Sequence, residues 1–347
     1  MESNKNLNVT IVDVAKKCGL SIATVSRVLH NPSLVRPRTR ERVKAIIAET
    51  GYVYNSNAGN FARKSSNLIG LITSTTTDTT FSTIASELQT LPLQKNYDIF
   101  IANSFSSAVA EDRLLVRFME RRVTAVVMIG YCSEIKKTFF KLHTHNIPTL
   151  ILWSKVEDPT ISNICIDGRQ TGYMATRYLM QLGHQHIGFI LGNYKSFQPA
   201  KERFQGYCDA YTEAGLTVNP AWVAAIDQPN LQSGNTAAIK LLQSADRPTA
   251  IIAADDTIAV GAMFAARNLG LRIPEDVSII GMNDDPFAQQ MSPPLTSINI
   301  PYSKMAQLAT TYLTELIESK EPLKPIRVEL PLSLIVRDSC GPVPRNG

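Results

Sequence analysis

The sequence predicts a multi-domain protein: an all-α helix-turn-helix unit at the N-terminus, followed by a larger α/β unit made of two subdomains. The first observation behind this prediction is a pair of short helical patterns joined by a glycine within residues 10–29. The second is a series of apolar runs after residue 67, separated by amphipathic stretches, as in parallel strands that alternate with helices. The chain has 347 residues, which is enough for two or three folding units.

The first helical pattern follows Thr10, whose hydroxyl can cap the free amides of a helix. Gly19 ends it, and Ser21 is the expected cap of the second helix. In this second helix one apolar stripe recurs at helical spacing, formed by Ile22, Val25, Val28 and Leu29. The residues left outside the stripe are Ala23, Thr24, Ser26 and Arg27. A small, hydroxylated and basic outer face suits the phosphate-lined groove of DNA, while an ordinary surface hairpin is the alternative.

The distribution of charge favours the DNA interpretation. Residues 1–65 hold eleven Lys and Arg against four Asp and Glu, whereas the rest of the chain holds 24 against 26. The net charge of +5 therefore originates in the N-terminal part of the chain. Such a basic unit can neutralise phosphates, and its binding should weaken steeply as the salt concentration rises.

A third helix is predicted over residues 37–47, where Val43, Ile46 and Ile47 would close a small three-helix core. Gly51 stops this helix. The following segment, residues 52–66, is polar and poor in helix formers. It is either a plain linker or a segment that folds only against DNA.

The α/β part shows two successive series of apolar runs. The predicted strands are 68–72, 98–102, 125–129 and 149–152 in the first series, and 187–191, 250–254 and 277–281 in the second. A last strand-like run lies at 332–336. Two doubly wound layers follow from this alternation. Because ligands of such folds bind beyond the carboxyl ends of the strands, the residues after each run are the candidates for a binding site.

Other function classes receive less support from the sequence. It contains no nucleophile elbow, phosphate loop or metal-ligand cluster, so we expect no catalytic residues, no metal and no cofactor. Asp256 is interpreted as a helix cap, and His184 and His186 as structural residues. The five cysteines are scattered, and there is no apolar signal segment, so a cytoplasmic protein without a membrane partner is expected. A stand-alone sugar-binding receptor and a sugar-processing enzyme remain the alternatives.

Over nearly its full length the chain resembles the LacI/GalR family of bacterial transcription regulators. The N-terminal signature is present as Asp13-Val14-Ala15, Gly19, Ser21 and the run from Thr24 to Leu29, followed by Thr39-Arg40, Gly51-Tyr52 and Asn55. The later motifs are Leu182-Gly183-His184, an Arg-x-x-Gly turn at Arg203 and Gly206, the segment 270–278, and Pro294-Leu295-Thr296.

The resemblance implies a homodimer that binds a roughly palindromic operator in double-stranded DNA. Base edges would be read by Ile22, Ala23 and Arg27. Further DNA contacts are expected from Thr10, Ser21, Thr24, Ser26, His30, Asn31, Thr39 and Asn55. In the hinge, Ala58 would face the minor groove and Phe61 would wedge into a base step where the family usually has leucine. Gly59 and Phe61 depart from the family pattern and put the strength of this hinge in question.

The resemblance also implies domain limits. We expect the helix-turn-helix domain at 1–54, the hinge at 55–66, the effector-binding and dimerisation domain at 67–340 and a tail at 341–347. The effector domain resembles periplasmic sugar-binding proteins. Its N-subdomain would comprise about 67–160 and 297–324, and its C-subdomain about 161–296 and 325–340.

A small effector is expected in the cleft between the two subdomains. The residues implied for it are Ser74, Thr80, Phe81, Trp153, Phe197, Arg203, Asp255 and Asn283. Sugar-responsive members often have Asp at the positions of Trp153 and Asn283, so two carboxylates are missing here. With Arg203 as a binding fork, a sugar acid becomes a candidate beside a neutral sugar. Trp153 either stacks on the ligand or fills the core.

Overall fold

The computed structural model describes residues 9–53, 66–74, 79–90, 97–131, 141–192, 198–227, 229–319, 321 and 323–344. The chain divides into two compact units, Met1–Lys64 and Ser65–Gly347. The predicted hinge contacts of Asn55, Ala58 and Phe61, together with Phe197 of the predicted cleft, lie outside the described residues.

Three helices form the first unit: α1 (Ile11–Cys18), α2 (Ile22–His30) and α3 (Pro37–Thr50). Thr10 and Asp13 form a reciprocal capping box at the start of α1, and Gly19 ends that helix with a φ of 61°. Ser21 caps α2 by accepting a hydrogen bond from the Thr24 amide. The predicted caps and the helix-turn-helix order are therefore confirmed.

Apolar side chains from all three helices close the core of the first unit. Val14, Val25 and Val43 are fully buried, and Ile46 and Ile47 pack against them as predicted. Ile22 was assigned to the apolar stripe of α2, but its side chain is 48% exposed. It is the first residue of the helix, where no neighbouring turn covers it, so it belongs to the outer surface.

Twelve strands are found in the described part of the second unit. They are β1 (Leu68–Thr73), β2 (Asp98–Asn103), β3 (Ala125–Ile129), β4 (Thr149–Trp153), β5 (Ser162–Cys165), β6 (Ile187–Leu191), β7 (Val223–Ala225), β8 (Ala250–Ala253), β9 (Ser278–Asn283), β10 (Thr296–Asn299), β11 (Arg327–Glu329) and β12 (Ser333–Ile335). Each apolar run of the sequence became one of these strands. The short strands β5, β7, β10 and β11 carried no comparable run.

The strands form two six-stranded sheets. The first sheet has the order β11-β5-β4-β3-β1-β2 and the second β12-β10-β9-β8-β6-β7. All neighbours are parallel except β10 and β12, which are antiparallel. We call the sheets, with the helices packed on them, the first lobe and the second lobe.

The chain passes between the lobes three times, at points that differ from the predicted limits. β5 and β11 belong to the first sheet, although the limits at 161 and 325 assigned them to the C-subdomain. β10 belongs to the second sheet, although residues 297–299 were assigned to the N-subdomain. The reason is that each crossing follows a short strand that extends the sheet it leaves, and such strands give little sequence signal.

Helices cover both sheets. They are α4 (Thr79–Leu88), α5 (Ala108–Glu120), α6 (Gly168–Gln181), α7 (Gln198–Glu213), α8 (Leu231–Leu242), α9 (Asp256–Asn268) and α10 (Tyr302–Glu318). Apolar cores of the first lobe lie on both faces of its sheet, and a single large cluster fills the second lobe. No helix in the described ranges is long and apolar enough to cross a membrane.

The C-terminal segment is fastened to the second lobe. Buried His184 contacts the Thr249 hydroxyl at 2.8 Å, the Ser278 hydroxyl at 3.2 Å and the Gly341 carbonyl at 3.1 Å. The Val343 amide donates to the Leu182 carbonyl at 2.9 Å, so the predicted tail at 341–347 begins inside a packed segment. Burial lowers the pKa of His184. These contacts support its structural interpretation.

Candidate nucleic-acid interface and inter-lobe site

The outer face of α2 presents the residues expected to read DNA. Ile22, Ala23 and Arg27 are exposed at the N-terminal end and middle of this helix, while Val25 and Val28 fasten its other side to the core. Because the helix is capped and packed, these three side chains are held on a rigid support. An arginine fork beside two apolar side chains can contact guanine acceptors and thymine methyl groups in a major groove.

The small polar residues of the first unit have mixed roles. The Thr10 hydroxyl donates to Asp13 at 2.6 Å, and Ser21 Oγ lies 2.9 Å from Thr24 Oγ1, so these hydroxyls already serve the helix ends. Both residues remain exposed, as does Asn31, while Thr24, Ser26 and Thr39 are half-buried. Nothing is described for the His30 side chain.

The second unit brings residues of both lobes together at the carboxyl ends of β4, β8 and β9. The guanidinium carbon of Arg203, from α7, lies 5.7 Å from the ring centre of Trp153, the last residue of β4. Arg203 also donates to the Ala254 carbonyl and, at 3.3 Å, to Asn283 Oδ1. We call Trp153, Arg203, Asp255 and Asn283 the inter-lobe site. Trp153 and Asn283 are the last residues of their strands and Asp255 lies just beyond β8, as the sequence predicted, whereas Arg203 lies in α7.

Asp255, not Asp256, is the cap of α9. Asp255 Oδ1 accepts a hydrogen bond from the Ile258 amide at 2.7 Å. Burial raises the pKa of Asp255, while the Ile258 amide and the positive charge of Arg203 counteract the rise. Asp256 is fully buried and accepts bonds from the Ser297 hydroxyl and the Asp285 amide. The assignment of Asp256 as the cap was wrong by one residue, because two adjacent aspartates precede the helix.

Two glycines permit a close helix crossing that positions Arg203. A Cβ atom on Gly172 of α6 would lie 1.9 Å from the Arg203 carbonyl oxygen, and one on Gly206 would lie 1.8 Å from the Arg169 carbonyl oxygen. The backbones of α6 and α7 therefore touch at these glycines. The predicted Arg-x-x-Gly turn is in fact part of helix α7, and its glycine permits a close helix crossing.

The remaining predicted cleft residues lie near the carboxyl end of β1. Ser74 directly follows this strand and is half-buried, and Thr80 and Phe81 are buried at the start of α4. Phe81 packs in the core of the first lobe. The Thr80 hydroxyl has no hydrogen-bond partner within the described ranges, although its oxygen is buried. A buried hydroxyl of this kind can take a polar ligand group.

Two further polar residues, Tyr131 and Glu202, interact from opposite lobes, and the sequence analysis missed them. Tyr131 follows β3, its hydroxyl donates to the Lys155 carbonyl at 3.2 Å, and the negative charge of Glu202 on α7 contributes to its raised pKa. Burial raises the pKa of Glu202, and a hydrogen bond from Gln198 at 2.9 Å lowers it. Tyr131 could have been found by the rule that identified Trp153, because it too follows a predicted strand.

The arrangement offers binding groups more than catalytic ones. Within the part of the chain that the structure describes, no three His, Cys, Asp or Glu side chains are grouped to hold a metal ion. The inter-lobe site combines a guanidinium, a carboxylate, an amide and an indole ring. These groups can hold hydroxyl or carboxyl groups of a small molecule and stack on its ring.

Comparison with known families gives two matches. Residues 10–55 match bacterial regulatory proteins of the lacI family, and residues 155–340 match the periplasmic binding protein-like domain. Among curated relatives, the HTH-type transcriptional regulator GalS of Salmonella typhimurium is 31% identical over 87% of this chain and 88% of its own length. The HTH-type transcriptional repressor PurR of Vibrio vulnificus is 31% identical over 95% of this chain and 98% of its own.

Solved structures give the same picture. A lac repressor dimer bound to operator and the anti-inducer ONPF is 27% identical, with a TM-score of 0.75 over 95% of this chain and 98% of that one. A complex of the transcriptional regulator CelR with cellobiose is 28% identical, with a TM-score of 0.68 over 95% of this chain and 99% of that one. The relatives and solved structures named above are transcriptional regulators.

Proposed function

We propose that this chain, which belongs to the lacI family of bacterial regulatory proteins and is a DNA-binding transcriptional repressor rather than an enzyme, controls an operon for the use of a carbohydrate or sugar acid. In this proposal it binds a palindromic operator as a homodimer in the cytoplasm. A small effector in the inter-lobe site changes its affinity for the operator.

The exposed face of α2 is the observation that carries the DNA part of the proposal. Ile22, Ala23 and Arg27 project from a capped helix whose opposite side is buried. Arg27 would bind a guanine through two hydrogen bonds, and Ile22 and Ala23 would contact thymine methyl groups. The exposed residues Thr10, Ser21 and Asn31 would lie along the phosphates, with Asn55, Ala58 and Phe61 continuing into the minor groove.

The dimer proposal is supported by an exposed apolar patch on the first lobe. β2 is the edge strand of the first sheet, and its Phe100 is 47% exposed. Phe105 and Val109, which follow the strand, are more than two-thirds exposed at 75% and 72%. An apolar edge strand is a usual pairing surface between protein chains. The similar lac repressor structure is that of a dimer.

The effector proposal rests on the mixture of groups at the inter-lobe site. Arg203 and Asn283 supply hydrogen-bond groups, and Thr80 has a buried hydroxyl without a partner among the described residues. The similar regulator CelR was solved with cellobiose, which supports a carbohydrate. Asp255 and Glu202 lie near Arg203, so its positive charge is partly balanced. This balance favours a neutral sugar over a sugar acid.

Binding of DNA duplexes selected by the full-length protein from a random-sequence pool tests the DNA role. Fluorescence anisotropy should show that Arg27→Ala weakens binding to the selected sequence by about 10- to 100-fold, because a bidentate contact to guanine contributes about 1–3 kcal/mol. It should leave binding to unrelated duplexes nearly unchanged.

Lys44→Ala is the matched control for this test. Lys44 is exposed on α3, outside the outer face of α2. Its loss should weaken binding to all duplexes equally and reduce the salt dependence of that binding. If no sequence is enriched, or if Arg27→Ala weakens selected and unrelated duplexes alike, α2 is not the reading helix.

Isothermal titration calorimetry of the full-length protein tests the effector class. D-cellobiose and D-galactose represent neutral sugars, and D-gluconate and D-galacturonate represent sugar acids. We expect binding of a neutral sugar that Arg203→Met abolishes. Binding of the acids alone would reverse the preference inferred from Asp255 and Glu202.

A further inference from the structure

Trp153 has a backbone conformation that core packing by itself does not explain. Its φ is 82°, in the left-handed region that bulky side chains rarely adopt. The side chain is 9% exposed and packs against the core of the first lobe. An unusual φ at a large residue is maintained only when the surrounding structure compensates for the strain.

The Trp153 ring is contacted from the other lobe by Arg203. Arg203 is 7% exposed and is fixed on α7 by the close approach of Gly172 to its backbone. Its guanidinium donates to Ala254 and to Asn283, which itself has a φ of 113°. The face of the guanidinium then lies over the Trp153 ring, with 5.7 Å between the guanidinium carbon and the ring centre. A cation over an indole ring, shielded from water, is an attractive contact.

We propose that Trp153 and Arg203 form a clasp that holds the two lobes together in the absence of an effector, and that an effector must displace the Trp153 ring to reach the guanidinium. The clasp uses the same guanidinium that the proposed function assigns to the effector. Trp153 is therefore neither a fixed stacking platform for the ligand nor only a core side chain. Its ring competes with the ligand for the guanidinium of Arg203.

This inference has two consequences. The apparent affinity for the effector is lower than the intrinsic affinity, because part of the binding energy separates the ring from Arg203. The relative orientation of the lobes is also coupled to the position of one side chain. Both consequences rest on the proposed function where they concern the effector or DNA affinity, whereas the contact between Trp153 and Arg203 concerns the second unit alone.

Tryptophan fluorescence measures the clasp directly. The chain has two tryptophans, and Trp222, stacked on His186 with 4.5 Å between ring centres, can be replaced by Phe. In full-length Trp222→Phe protein, the emission reports Trp153 alone. We expect weak quenching by acrylamide in this parent, and quenching at least about fivefold stronger after Arg203→Met, because a shielded cation–π contact shifts an open–closed equilibrium by at least about that factor.

Two further variants protect the test from misfolding and from nonspecific effects. Arg203→Lys retains a cation and should give intermediate quenching. Arg169→Met removes an exposed arginine whose partner is Asp209 on the same lobe, and should leave quenching unchanged. Equal quenching in the parent, Arg203→Lys and Arg203→Met, with cooperative thermal unfolding in all three, would overturn the clasp.

DNA binding separates failure of the clasp from failure of the proposed function. Trp153→Leu and Arg203→Met should change the affinity for the duplexes selected by the parent protein in the same direction. If the parent selects no duplex, the proposed function fails while the quenching result stands. If DNA binding is normal and quenching is insensitive to Arg203, the clasp fails and the proposed function stands.

Discussion

The exposed face of α2 and the inter-lobe site are both proposed as recognition surfaces, but they are built in opposite ways. Ile22, Ala23 and Arg27 project outward from a helix that is stabilised by other residues. Arg203 and Asn283 are buried and bonded to each other, and a helix crossing fixes their position. In the first unit, recognition and stability are separable. In the second unit, the residues that we propose to bind the effector also make buried contacts within the fold.

The largest effect on stability is expected at the glycine crossing of α6 and α7. Gly206→Ala places a Cβ atom 1.8 Å from a backbone carbonyl oxygen that cannot rotate away. We expect the free energy of unfolding of the second unit to fall by about 3 kcal/mol or more, measured by urea denaturation followed by circular dichroism.

Gly192→Ala is the control for the crossing, because no heavy atom lies within 4 Å of its added Cβ. Its change in stability should stay within about 0.5 kcal/mol. Equal stability of the two variants would mean that the helices can separate at little cost. The difference drawn above between α2 and the inter-lobe site would then not hold.

The next largest expected effect is a pH dependence of the free energy of unfolding, which arises from His184. Burial lowers the pKa of this histidine below its ordinary value of 6.5, so the unfolded chain binds a proton that the folded chain does not. Stability should therefore decrease as the pH falls below about 6.5, with a slope of at most about 1.4 kcal/mol per pH unit.

Urea denaturation at several pH values, compared with His184→Gln, measures this dependence. The variant should show a flatter profile between about pH 5 and 7. An unchanged profile in His184→Gln would assign the pH dependence to other groups.

A smaller effect is expected at the cap of α2. Ser21→Ala removes the acceptor of the Thr24 amide and should cost about 1 kcal/mol in the stability of the first unit. Ser26→Ala, inside the same helix, should be neutral or slightly stabilising because alanine is the better helix former. Thermal unfolding followed by circular dichroism distinguishes the two, and equal melting temperatures would contradict the capping role.

The smallest stability effect is expected at Ile22, where the separation of recognition from stability is sharpest. Ile22→Ala should change stability by less than about 0.5 kcal/mol, since the side chain is 48% exposed. The same variant should lose about fivefold in affinity for the selected DNA sequence. A large loss of stability would show that Ile22 packs in the core, as its spacing in the sequence suggested.

Much of the fold could be predicted because the local signals were strong and independent. Thr10, Ser21 and Gly19 stand where the helical apolar pattern begins or stops, and their side chains or backbone freedom suit helix ends. Long apolar runs marked the central strands of both sheets. The short strands at the lobe crossings were missed, because strands of three or four residues are defined by their partner strands and carry no periodic pattern.

The sequence predicted which residues belong to the inter-lobe site, but not the contacts that these residues make. The rule that ligands meet the carboxyl ends of strands led to Trp153, Asp255 and Asn283. No local pattern could show that Asp255 caps α9 while Asp256 is buried beneath Ser297 and Asp285, because adjacent aspartates are equivalent until the helix start is fixed. The contact between Trp153 and Arg203 joins residues of different lobes.

The sequence by itself determined a basic helix-turn-helix unit, an α/β unit of two layers and the membership of a family of DNA-binding repressors. The two units follow from periodicity, capping residues and charge, which act over a few neighbouring positions, whereas the family membership rests on signature motifs and on similarity to known regulators. Only the tertiary structure decided that Gly172 and Gly206 bring two helices into contact, that Arg203 is buried, and that Trp153 covers it. Such contacts depend on the distance between backbone segments that are far apart in the sequence. Because the contacting groups are buried, changing any of them lowers the stability of the fold.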